Sequence, residues 1–101
     1  MTKNIKVLIP LIAKQGRLEE AERIIMEMIP AIRNNPNCLE FRVFKDMQNP
    51  NKFTLLEYWI NMEAITEHSK KPYMAEIMAK KSIIFEGIAG EIVSELSTIE
   101  N

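Results

Sequence analysis

Few residues in this chain carry chemistry, and most of them fall in one stretch, FTLLEYWINMEAITEHSKKPYM, residues 53–74. His68 is the one histidine. Its ordinary titration lies nearest neutrality, so it is the leading candidate for a general base or for the hydrogen-bond partner of an acidic hydroxyl. The plainer reading is a histidine that packs a helix end. Trp59 offers an aromatic wall whose indole N–H can be aimed at a ligand, although a large aromatic at a strand end also suits a core. Glu57 is a carboxylate inside an otherwise apolar run, and such a group is costly to bury unpaired. It is expected to bind substrate, to act as a base with raised pKa, or to form an ion pair with Arg42 from a neighbouring strand; the ion pair is the favoured expectation. Tyr58 and Tyr73 each have a hydroxyl for a substrate oxygen or for an interface. The candidate set is therefore His68 and Trp59 for catalysis, with Glu57, Tyr58, Tyr73 and Arg42 for substrate binding.

Other reactive types carry less. Cys38 excludes an internal disulfide and a CxxC motif, and with one His and one Cys a nitrogen or sulfur metal site within the chain is not expected. No charge pattern around Cys38 marks a reactive thiol, and a small buried residue is the expectation. Lys70–Lys71 and Lys80–Lys81 suit an anionic phosphate or, more commonly, solvent. The methionines on helical stretches fit core gaps.

Positioning these groups requires a strand running straight into a helix. Phe53 to Ile60 alternates as a buried strand: Phe53, Leu55, Glu57 and Trp59 point one way, and Thr54, Leu56, Tyr58 and Ile60 the other. Asn61 is a suitable N-cap for a helix from Met62 to about Ser69. Upstream, Lys3 to Ala13 reads as a first strand. Pro10 requires an edge, a bulge or an absent neighbour there. After a Gln15–Gly16 turn, the spacing of Leu18, Ala21, Ile24, Ile25, Met28, Ile29 and Ile32 predicts an amphipathic helix, kinked or cut short at Pro30. Cys38 to Lys45 alternates as a second strand, joined to the third by a turn-rich hairpin. Pro72 opens a further helix to about Phe85, and Glu91 to Leu96 reads as a last strand.

The order β-α-β-β-α-α-β forms two split β-α-β halves, a ferredoxin-like α+β sheet with helices on one face. The chain, residues 1–101, is expected to be one domain. Both faces of the central strand are apolar, so the uncovered face is expected to meet a second copy in a homodimer. With 13 basic and 14 acidic residues dispersed along the chain, nothing favours nucleic acid or an anionic membrane as partner. No run approaches a transmembrane helix or a secretory signal, which gives a cytoplasmic expectation.

NCLEF at 37–41 and the stretch 53–74 resemble the antibiotic biosynthesis monooxygenase family of dimeric α+β barrels. Its Glu-x-Trp strand end is matched by Glu57 and Trp59, its helical Glu-Ala-aliphatic by Glu63, Ala64 and Ile65, and its histidine by His68. The likeness extends over the first strand, the Gly16 turn, the first helix and the Asn-Pro-x-Cys loop. It implies an enzyme without cofactor that oxygenates a quinol or polyphenol with molecular oxygen. It also allows an isomerase of a small phosphorylated dicarbonyl, or a ligand-binding domain without turnover. In the haem-degrading branch, the asparagine, tryptophan and histidine positions fall on Ile9, Trp59 and Met78, so the axial histidine is missing and haem degradation is not expected.

Overall fold

In a computed structural model, residues 4–87 and 90–94 are described. Among them, β1 (Ile5–Ile12), β2 (Cys38–Lys45), β3 (Lys52–Trp59) and β4 (Glu91–Val93) form one antiparallel sheet in the order β2-β3-β1-β4. The two most apolar strands, β1 and β3, lie side by side at its centre, paired from Ile5↔Trp59 to Ile12↔Lys52. Helices α1 (Leu18–Arg33), α2 (Met62–Ser69) and α3 (Ala75–Ile84) complete a ferredoxin-like α+β fold.

Alternation along β3 decides what is inside. Phe53, Leu55, Glu57 and Trp59 are buried, while the residues between them are only partly covered. They meet Ala21, Ile24, Ile25, Met28 and Ile32, the apolar stripe of α1. Burial of each large aliphatic in this stripe contributes about 1.5–3 kcal/mol. The other sheet face carries Leu8 opposite Leu56, Leu56 opposite Arg42, and Tyr58 opposite both Lys6 and Glu40. Phe44 on the same face is exposed.

Several expectations are refined by packing. The chain continues helically through Pro30 to Arg33, because a proline costs one backbone bond and this ring sits on the exposed side of α1. Pro10 pairs with Thr54 of β3, and β4 pairs with Lys6–Leu8 among the described residues. The turn before α1 requires Gly16, which has φ +81°, a conformation costly for side chains with a Cβ. Pro72 opens a short 3-10 turn, Pro72–Met74, before α3 begins. β4 is described only as Glu91–Val93; Leu96 lies outside the described residues.

The expected Glu57–Arg42 ion pair is not formed. Phe41 stands opposite Glu57, and Arg42 stands opposite Leu56 with its side chain on the far sheet face. Arg42 Nε pairs with Glu40 instead, at the end of a bulge between Cys38 and Glu40. Alternation along β2 turns Phe41 inward and therefore Arg42 to the opposite face.

Candidate active site

Three segments converge on the inner end of β3. The strand presents Glu57 and Trp59 on the same side, two residues apart, and Trp59 Nε1 donates to Glu57 Oε1 at 2.8 Å. Helix α2 follows at once. Asn61 caps it by accepting the Ala64 N–H at 2.8 Å, and the four-residue step from Ala64 to His68 keeps both on the buried face. The 3-10 turn then brings Tyr73 back over His68.

The rings stack in series. His68 lies 4.5 Å from Trp59 between centroids, tilted by 38°, and 5.5 Å from Tyr73. The Tyr73 hydroxyl is 2.6 Å from His68 Nδ1 and accepts from Asn35 Nδ2 at 3.2 Å. Trp59 is 0% exposed, and His68 and Glu57 are each 4% exposed. Burial disfavours charge on both titrating groups. It lowers His68 to about 4 and keeps it a neutral imidazole at pH 7. The same desolvation raises Glu57, opposed in part by the indole hydrogen bond. Tyr73 is also raised, chiefly by burial.

A cleft of about 510 Å3 opens outside this stack, between the loop after α1 and the outer side of α2. Its wall includes Asn34, Asn35, Asn37, Ala64, Glu67, Lys71 and Tyr73. A second hollow of about 270 Å3 is lined by Ile24, Met28, Pro72, Tyr73, Glu76 and Ile77. Tyr73 lines both hollows, and behind it sits the buried imidazole. The space directly between the sheet and α2 is filled by Trp59 and His68.

Four of the six sequence-nominated residues, Glu57, Trp59, His68 and Tyr73, are thus brought together. Tyr58 and Arg42 are on the opposite sheet face, where Tyr58 accepts from Asn4 Nδ2 at 3.3 Å and lies under the Lys6 ammonium. Asn35 was not nominated from sequence, because an Asn-rich loop reads first as turn chemistry. The Asn35 side chain does make that turn, accepting the Asn37 N–H at 3.0 Å, and its amide nitrogen remains for Tyr73. Cys38 donates to the Glu40 carbonyl at 3.4 Å, and burial pushes its thiol up, away from reactivity.

Among the described residues no group of three or more His, Cys, Asp or Glu side chains is arranged to hold a metal ion. Of the three positions that carry haem chemistry in the resembling branch, Ile9 is part of β1 and Met78 is exposed on α3. No helix among the described residues is long and apolar enough to cross a membrane.

The model of the antibiotic biosynthesis monooxygenase family matches residues 4–80, most of the chain and every element that builds the site. This chain belongs to that family. The fold is shared with solved structures of low sequence identity. A Pseudomonas aeruginosa protein superimposes with a TM-score of 0.87 at 16% identity, covering 96% of this chain and 98% of the other. A Shewanella oneidensis protein gives 0.82 at 18%, covering 92% and 91%. A structure named antibiotic biosynthesis monooxygenase gives 0.83 at 17%, covering 91% and 98%. No curated protein gives a significant match to this chain. Membership in the antibiotic biosynthesis monooxygenase family accounts for the split β-α-β order; the reaction must be argued from the side chains.

Proposed function

We propose that this chain is a monooxygenase that needs no cofactor and acts on a quinol or polyphenol, working in the cytoplasm as a homodimer. The observation that carries this reading is the neutral, buried His68 reached from the cleft through the Tyr73 hydroxyl. A phenol in the cleft gives its proton to Tyr73 Oη as Tyr73 passes its own to His68 Nδ1. The resulting electron-rich anion reacts with oxygen at a ring carbon, a C–O bond forms, and the hydroperoxide loses water. The sum is a hydroxyarene plus O2 giving a quinone plus water, with substrate as the source of electrons. Trp59 backs the imidazole and helps keep water away from it.

The magnitudes are compatible with turnover. Moving a proton from a phenol near pKa 10 to an imidazole near 4 is uphill by about 8 kcal/mol. A turnover of roughly 10 per second allows a barrier of about 16 kcal/mol. The low pKa also returns the proton readily when the hydroperoxide expels water.

The homodimer reading rests on the uncovered face, where Leu8 and Leu56 stand opposite each other at the sheet centre. Lys71 in the cleft wall supports a second reading, isomerisation of a small phosphorylated dicarbonyl. The test is oxygen uptake by purified, metal-free protein across reduced quinols, with spontaneous oxidation subtracted and His68→Ala alongside. Uptake above background that falls in the variant supports the oxygenase. Conversion that proceeds without oxygen supports the isomerase, and ligand retention without any turnover leaves a binding domain.

A further inference from the structure

We infer that Asn35 is a positioning residue of this site: its amide sets the direction of the Tyr73–His68 hydrogen bond and so holds His68 in the Nε2–H tautomer. The inference deepens the proton-transfer reading and rests on it only for the effect on turnover. The tautomer is a property of the resting protein.

The direction follows link by link. Asn35 Oδ1 accepts the Asn37 backbone N–H at 3.0 Å, and a backbone N–H can only donate. This orients the amide and leaves Nδ2 to face Tyr73 Oη, to which it donates at 3.2 Å. An amide nitrogen has no lone pair to offer, so the phenolic proton cannot point at Asn35. The strongest acceptor beside that oxygen is His68 Nδ1 at 2.6 Å, a separation typical of a short O–H donor bond. Nδ1 is therefore the lone-pair nitrogen, and the ring proton resides on Nε2. The loop that starts this chain of donors is itself pinned. Asn35 N donates to the Ile32 carbonyl and Cys38 N to the Asn35 carbonyl, each at 3.0 Å, while Ile60 N reaches the Asn37 carbonyl at 3.1 Å. The same loop thus ties the end of α1 to the starts of β2 and α2 and delivers one donor to the buried site.

Because the chain has a single histidine, ring nitrogen spectra of protein carrying 15N-histidine report this tautomer without assignment. In the wild type Nδ1 is expected to be the unprotonated, pyridine-like nitrogen and Nε2 the protonated one. Asn35→Asp keeps an oxygen for the Asn37 N–H but replaces the donor by an acceptor. Tyr73 O–H then turns to the new carboxylate, the ring proton moves to Nδ1, and the two nitrogen signals exchange character. Asn35→Ala removes the donor alone and is expected to mix the tautomers, drawing the two signals together. In turnover of a quinol, Asn35→Asp is expected to lower kcat 10- to 100-fold with KM changed less than threefold. An Nδ1–H ring in the wild type, or wild-type signals in both folded variants, overturns the inference. Tautomer changes as described in a protein that takes up no oxygen would leave the assignment of Asn35 standing and remove the oxygenase reading instead.

Discussion

The Tyr73 hydroxyl lies 2.6 Å from Nδ1 of His68, and Tyr73 lines the cleft while His68 is buried behind it. For the proposed reaction, the imidazole would be reached from that cleft through another side chain. Tyr73→Phe keeps the ring wall and deletes the relay, so kcat is expected to fall 10- to 100-fold, measured as initial oxygen uptake at saturating quinol. The orphaned Nδ1 should cost about 1–2 kcal/mol in urea unfolding. Undiminished uptake in this variant would mean that the proton leaves by another route.

Acid should destabilise the fold through His68. Its folded pKa, about 4, is below the unfolded value of 6.5, so between these values the unfolded chain binds more protons and stability rises with pH. Glu57 opposes this trend. Its folded pKa is raised above the unfolded value of 4.5, so the native state holds its proton longer and this contribution to stability falls as pH rises from 4.5. Glu57→Gln keeps an acceptor for Trp59 and removes the opposing contribution. Urea melts from pH 4 to 8 should show a steeper rise with pH in the variant than in wild type, and the variant should be the more stable of the two at pH 8. Parallel profiles for the two proteins would refute the burial argument for Glu57.

Trp59→Phe should destabilise by about 2–3 kcal/mol, because it opens space in the core and strips Glu57 Oε1 of its N–H donor. The two causes separate in a double-mutant cycle. Combined with Glu57→Met, which removes the acceptor, the substitution should show a coupling energy above about 0.5 kcal/mol. Additive effects would make the 2.8 Å bond energetically idle.

For the proposed homodimer, Leu56→Lys puts a charge opposite Leu8 at the centre of the uncovered sheet face. Light scattering should then give the monomer mass while far-ultraviolet circular dichroism stays native. A wild-type protein that is already monomeric at the same concentration would remove this part of the proposal.

Much of the fold was legible because it depends on neighbours in sequence. Alternation from Phe53 to Trp59 put Glu57 and Trp59 on one side, and Asn61 marked the start of the helix from Met62 to Ser69 that carries His68. The family resemblance rested on these same short patterns, and the family match bears it out. The ion pair of Glu57 with Arg42 failed for a physical reason: both residues belong to adjacent strands, but pairing in register sends their side chains to opposite faces.

By itself the sequence determined the elements, their order, the two alternating sides of β3 and the residues able to titrate, since backbone preference and burial act over spans of a few residues. Only the tertiary structure decided which of those residues meet. Asn35 and Tyr73 stand 38 positions apart, and they touch because α1, β2 and α2 pack so that one loop closes over the end of β3. Hydrogen-bond direction, like strand register, depends on that meeting, because a donor has no direction until its acceptor is in place.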